Sequence, residues 1–293
     1  MADNWLSNNG SRGACSENRE GTAKTGPSSL LSQVGSGLAF FKLADRGAYP
    51  DNGPVSASAI SIEGENLDKI FRAASTIKIP IVAALFYKAM DGSLNLADSI
   101  VVTKRDIVEG GILCEVGLGR KFSWRELARL AIVVSDNTAS NLIIQKLGFD
   151  FINFFIKDTL RVRHTVLKRY FMASPQENGE NYTSARDLAL IMALLWQGAI
   201  LEEAYREEFW AILSRQQFIE KLPSRIFTQV QSYNKTGELD DGARHDAAIF
   251  SYGSQVWGLI ALTDQQEWPA WQIDSAMGAW SEHIFYTLIK KAE

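Results

Sequence analysis

Phe71-Arg72-Ala73-Ala74-Ser75-Thr76-Ile77-Lys78, continued by Ile79-Pro80-Ile81-Val82-Ala83-Ala84-Leu85-Phe86, is the stretch around which the rest of the chain organises. A serine and a lysine three apart open an apolar run, and the pattern predicts a helix from Ser75 to about Met90, stopped at Asp91-Gly92. Pro80 falls in the first turns, where a missing N–H costs little. At this spacing Ser75 and Lys78 share one helix face, so the lysine amine can reach the hydroxyl. The apolar run ends far short of the roughly 20 residues that a membrane span needs.

Two further strings stand downstream, Ser135-Asp136-Asn137 and Lys235-Thr236-Gly237. An S-x-x-K alone arises about once by chance in a chain of this length, at roughly 6–7% for each residue type. The ordered trio S-x-x-K, S-D-N, K-T-G does not arise that way.

The composition narrows the class. With 293 residues, 46% hydrophobic and 22% charged, the chain has ample material for a globular core. A formal charge of −4 offers no basic face and argues against nucleic acid as a partner. The two cysteines, Cys15 and Cys114, are too few and too far apart for a disulfide framework, and with three histidines they suggest no metal site. No metal or organic cofactor is implied. Cys114 follows Ile112-Leu113 and is expected to be a small buried hydrophobe. Residues 1–29 are rich in Asn, Ser, Gly and charge with no signal-peptide core, and a disordered tail is expected there, ahead of one domain over 30–293.

Periodicity sets the order of elements. Gly37–Ala44 and Ala57–Ile62 read as strands. Helices follow at Trp124–Val134, Asn137–Leu147 (ended by Gly148), Thr183–Trp196 (capped by Thr183 or Ser184) and Glu202–Arg215. The period then changes to two over Gln229–Lys235, Ala247–Tyr252 and Gln255–Leu262, with Lys235-Thr236-Gly237 at the end of its strand, and a last helix covers about Asp274–Lys290. The fold class is therefore α+β: a sheet assembled from both chain ends, with an all-helical lobe over roughly 75–220 inserted between them.

The chemistry of the three strings is complementary. A serine hydroxyl is a poor nucleophile until a base takes its proton, and Lys78 is placed to do so at Ser75. To act as a base, Lys78 must be neutral part of the time. A second cation about 5 Å away, at an effective dielectric near 20, disfavours its charged form by about 3 kcal/mol, roughly two pK units. Lys235 is a candidate for that cation. Ser135, at a junction between two helices, can relay a proton to a leaving nitrogen, and the Asn137 amide can bind a substrate carbonyl. Lys235 and Thr236 offer a cation and a hydroxyl to a substrate carboxylate, while Gly237 allows close backbone approach. Asp136 reads as structural, tying the interhelix loop together.

Over roughly Gly37 to Asp264 the chain resembles the class A β-lactamase and penicillin-binding-protein family. The likeness rests on 71–78, on Ile132 to Ala139, and on Asn234 to Leu239 followed by Arg244-His245-Asp246. It implies a five-stranded antiparallel sheet with a helical lobe and an active site at their junction. It also implies an oxyanion hole from the backbone N–H groups of Ser75 and Glu238, and Arg244 as a second carboxylate anchor. The likeness implies a small-molecule substrate, a β-lactam, a D-alanyl peptide or another activated amide or ester, and a monomer is expected. An extracytoplasmic site is expected for the family, although no signal peptide is visible.

One departure stands out. Family β-lactamases carry a deacylating glutamate in an arginine-aromatic-Glu-Pro-x-x-Asn context. Here the stretch runs Arg169-Tyr170-Phe171-Met172-Ala173-Ser174-Pro175-Gln176-Glu177-Asn178-Gly179-Glu180-Asn181, which puts Phe171 at the glutamate's place and Ala173 at a later acidic position. Glu177 and Glu180 are the substitutes to examine. Acylation then has its full complement and deacylation lacks its obvious base, a loss of about 10²–10⁴ in rate. Three functions stay open: a β-lactamase-like hydrolase, a D,D-carboxypeptidase, and a covalent or non-covalent ligand-binding module.

Overall fold

The computed structural model describes residues 29–44, 60–264 and 267–292. The expected tail therefore lies outside the described residues, save for Ser29. The strands are β1 (Gly37–Leu43), β2 (Glu63–Glu65), β3 (Phe71–Arg72), β4 (Ser99–Val101), β5 (Lys121–Ser123), β6 (Tyr182–Thr183), β7 (Gln231–Glu238), β8 (Ala243–Tyr252) and β9 (Gln255–Asp264). The α-helices are α1 (Ser29–Gln33), α2 (Lys78–Met90), α3 (Leu113–Val116), α4 (Trp124–Val133), α5 (Asn137–Leu147), α6 (Phe149–Phe154), α7 (Pro175–Asn178), α8 (Ala185–Trp196), α9 (Glu203–Leu213) and α10 (Ala270–Ile284).

Five strands form one antiparallel sheet in the order β2-β1-β9-β8-β7, so early and late segments of the chain meet in it and α2 to α9 lie between them in sequence. Alternation along the strands divides its two faces. Ala39, Phe41, Ala247, Ile249, Ile260 and Leu262 face the helical lobe. Leu38, Ala248, Phe250, Trp257, Leu259 and Ala261 face Ile273, Met277, Trp280 and Ile284 of α10. The sheet is thus covered on both sides.

Within the lobe, α2 is the central element. Ile79 through Phe86 have no exposed surface, because the segment is apolar all round and its neighbours α4, α5 and α9 pack against it. The helices around it are capped as their sequences dictate. Ser123 and Glu126 form a reciprocal capping box on α4, and Ser184 caps α8 by accepting from Asp187 N–H.

Four expectations change. The strand expected over Ala57–Ile62 falls partly outside the described residues, and 60–62 are not strand. The outer strand is instead Glu63–Glu65, exposed throughout, because an edge facing water needs no apolar alternation. Lys235-Thr236-Gly237 lies inside β7 rather than at its end, since pairing continues to Glu238↔Arg244. The helix expected from Ser75 begins as a 3₁₀ turn, Ala74–Ile77, before α2. Cys114 is half-exposed in the short helix α3, its Sγ donating to Gly111 O at 3.3 Å, because Leu113 takes the buried position beside it.

Phe41 and Gly258 are direct cross-strand partners. A Cβ on Gly258 would lie 2.0 Å from the Phe41 ring. Gly258→Ala should therefore destabilise by about 1–3 kcal/mol through overpacking. Adding Phe41→Leu should return part of that loss, and denaturant unfolding of both single variants and the double variant measures the coupling.

Candidate active site

The turn carrying Ser75 is held by its ends. Ala73 N–H donates to Asn181 O at 2.7 Å, and Thr76 Oγ1 donates back to Ala73 O at 2.6 Å. Ala74 takes a left-handed conformation (φ 46°), which redirects the chain out of β3. In a 3₁₀ turn, side chains three apart eclipse, which puts Ser75 and Lys78 on one side. Lys78, wholly buried at the first position of α2, reaches across to the α4–α5 junction. Its Nζ donates to Ser135 O (2.6 Å), Ser135 Oγ (3.1 Å) and Asn137 Oδ1 (2.8 Å). Three acceptors satisfy the three N–H donors of an ammonium. Contrary to expectation, no hydrogen bond joins Lys78 to Ser75 among the described residues.

Ser135 is the meeting point. It adopts φ 54°, an uncommon conformation for serine, held by the helices on either side. Asp136 fixes the junction. Fully buried, it caps α5 by accepting from Ala139 N–H (2.8 Å), and its other oxygen accepts from Ile112 N–H (2.7 Å) and Leu113 N–H (2.8 Å). From the sheet side, Lys235 Nζ donates to Ser135 Oγ at 3.0 Å and to Thr236 O at 2.7 Å. One hydroxyl thus accepts from two lysines. Both of its lone pairs are taken, so its own proton is left to point elsewhere.

Both lysines are depressed. Burial away from water pushes Lys78 well below the ordinary lysine value, and the neighbouring Lys235 pushes it further, against Asp136. Burial also lowers Lys235, to about 7, with Asp246 opposing. The cause is desolvation of a charge with little compensating carboxylate in contact.

Ser75, Ser135, Asn137, Thr236, Gly237 and Glu238 line a cleft of about 240 Å³, with Phe218 and the Gly110-Gly111 turn closing it. A Cβ on Gly237 would come within 3.1 Å of the backbone nitrogens of Ser75 and Thr76, so glycine there lets β7 approach the nucleophile turn. β7 is an edge strand. Since Leu239 N–H bonds to Ala243 O on the β8 side, alternation sends Glu238 N–H off the free edge.

Arg244 is not brought to the cleft. It sits on β8 behind Glu238, with its guanidinium paired to Asp274 and, at 3.2 Å, to Glu238. Sequence reading missed Lys221, a fully buried lysine that contacts Glu238 and, at 2.8 Å, Glu220. Its only signal was a lysine between two apolar residues, Ile219 and Leu222, and a glutamate. Asp246 was also missed as a site residue. Buried beside Lys235, it accepts from Asn234 Nδ2 (3.1 Å) and Leu222 N–H (3.1 Å), and burial raises it to about 6.

The loop opposite is tied down at several points. Asn141 accepts from Phe171 N–H (2.8 Å) and donates to Phe171 O (3.1 Å). The Phe171 ring then lies with its centroid 4.3 Å from Lys78 Nζ. Arg169 grips Glu180 through two hydrogen bonds, at 2.9 and 3.1 Å. Glu177 is exposed on α7 and does not line the cleft.

A serine, two buried lysines and a shared serine hydroxyl on an antiparallel sheet with a helical lobe place the chain in the β-lactamase and penicillin-binding-protein class of folds. Residues 61–288 match the Beta-lactamase enzyme family, and the chain belongs to that family. Among solved structures, a β-lactamase from Sphaerobacter thermophilus superposes with a TM-score of 0.76 at 25% identity, covering 88% of this chain and 94% of that one. PBP-A superposes with a TM-score of 0.73 at 26% identity, covering 90% and 97%. A β-lactamase of Rhodobacter capsulatus is 36% identical over 81 residues, 28% of each chain, so this curated relative is matched over little more than a quarter of its length.

The Lys235 shift has a stability consequence. An unfolded lysine keeps its proton to near 10.5, whereas the native one loses it near 7. Between those values the unfolded state binds more protons, so stability rises with pH. Urea unfolding at pH 7 and pH 9 should show a smaller rise in Lys235→Met than in the parent. An equal rise would show that Lys235 is not depressed.

Proposed function

We propose that the protein is a serine hydrolase of the class A β-lactamase type, acylated at Ser75 by a β-lactam or related activated amide or ester, with slow deacylation. The observation that carries this reading is the Ser135 hydroxyl shared between Lys78 and Lys235, in a cleft that Ser75 lines. Burial keeps Lys78 ready to take a proton, which is what a serine nucleophile requires.

In this mechanism Ser75 Oγ bonds to the substrate carbonyl carbon and its proton passes to neutral Lys78. The carbonyl oxygen becomes an oxyanion between the N–H groups of Ser75 and Glu238. As the carbon–nitrogen bond breaks, Ser135 gives its proton to the leaving nitrogen and recovers one from Lys78. Asn137 binds the substrate amide, and Lys235 with Thr236 stabilises negative charge at the sheet edge. Arg244 would add to that only if it left its present carboxylate partners.

Release of the acyl group needs an activated water. Phe171 brings an apolar ring to the place beside Lys78, Glu180 is committed to Arg169, and Glu177 points to solvent. The same observation supports a second reading, a penicillin-binding D,D-carboxypeptidase. PBP-A has been solved as a mutant acyl-enzyme with penicillin G, at 26% identity to this chain.

Intact mass spectrometry over time, after mixing with a penicillin and a cephalosporin, tests the first reading. The parent should gain one adduct that persists for minutes, and Ser75→Ala should gain none. An adduct on another residue would refute the assignment. Steady release of D-alanine from a D-alanyl-D-alanine peptide would favour the second reading. Phe171→Glu should accelerate loss of the adduct by only part of the 10²–10⁴ that a well-positioned base gives, roughly tenfold, since nothing yet orients the new carboxylate. If Glu177→Gln instead slows deacylation strongly with acylation unchanged, the slow-turnover account fails.

A further inference from the structure

The side chain of Glu238 fills a place shaped for a ligand carboxylate. It lines both clefts beside Ser75 and is 46% exposed. One carboxylate oxygen meets Lys221 Nζ and the other meets Arg244 Nη1 at 3.2 Å. Each cation also holds a second carboxylate, the buried Asp274 for Arg244 and, for Lys221, a Glu220 as exposed as Glu238 itself. Lys221 has no exposed surface and Arg244 little, so both are fixed donors, and Glu238 is the carboxylate that meets the two together. That is the geometry of a bound anion, one charged donor to each oxygen. Although partial burial opposes it, Lys221 and then Arg244 hold the Glu238 carboxyl below its ordinary value.

The surrounding wall carries the same sign as Glu238. The charged side chains of the adjoining cleft, about 550 Å³, are Glu109, Glu180, Glu238 and Asp240 against Arg169 alone, and Arg169 is already bonded to Glu180. Lys78 and Lys235 are withdrawn from the surface. An incoming carboxylate would have to displace Glu238 from two cations or lie beside it against like charge.

We infer that Glu238 is a built-in occupant of the anion site, and that it selects acyl donors without a carboxylate at that end: neutral lactams, lactones or esters. This rests on the serine-hydrolase reading above. Second-order acylation rate constants for benzylpenicillin and for its methyl ester, measured by intact mass spectrometry, test it. The parent should react faster with the ester, and Glu238→Gln should raise the acid-to-ester ratio about tenfold or more. A parent that prefers the acid, or a ratio unchanged in Glu238→Gln, overturns the inference and leaves the hydrolase reading intact. No adduct from either compound overturns the hydrolase reading. The anion site is then judged alone by melting in sodium acetate against sodium chloride at equal ionic strength. Acetate should raise the Tm of Glu238→Ala and not that of the parent, and equal responses overturn the occupied site.

Discussion

Two lysine side chains, taken out of water and meeting at one hydroxyl, are the constraint on which the cleft depends. Lys78 comes from the buried central helix and Lys235 from the edge strand of the sheet, and Ser135 Oγ accepts from both. Burying one ammonium is costly and burying two side by side more so. The structure offsets this with three hydrogen bonds to Lys78 and two to Lys235 and with lowered proton affinity, not with a carboxylate in contact. The arrangement holds only if three elements are positioned together: the 3₁₀ turn before α2, the α4–α5 junction and β7. Asp136 and Gly237 serve that positioning, Asp136 by binding three N–H groups and Gly237 by letting the strand approach the turn.

The opposite wall of the cleft is built as firmly but for a different purpose. Asn141 fixes the backbone of Phe171 from both sides, and Arg169 with Glu180 closes the base of the loop. The consequence is an aromatic face toward Lys78 where a carboxylate would have raised that lysine's proton affinity. In the proposed mechanism a ring at this place raises the proton affinity of Lys78 less than a carboxylate would, and it supplies no base to a water.

Charge around the cleft is segregated by depth. Positive groups lie buried, Lys78 and Lys235 at the serine and Lys221 behind β7, whereas the exposed rim is acidic. Glu238 joins the two layers: its backbone N–H is directed off the sheet edge while its carboxylate neutralises the cations beneath.

Much of this was legible in the linear chain. The ordered strings around Ser75, Ser135 and Lys235, the change of period from 3.6 to 2 and the substitution at Phe171 are local properties of composition and spacing, and they were enough for the α+β sheet and for the family. What they could not determine was which donor meets which acceptor. Lys78 was expected at Ser75 and instead bonds Ser135 and Asn137, because that depends on how α2 docks on the α4–α5 junction. Arg244 read as a free anchor, and it is engaged because α10 brings Asp274 to it from 30 residues away. Lys221 gave almost no signal, since a lysine near apolar residues is usually exposed. Its burial and its contact with Glu238 arise from long-range packing, in which charge pairing is set by three-dimensional proximity and not by sequence separation.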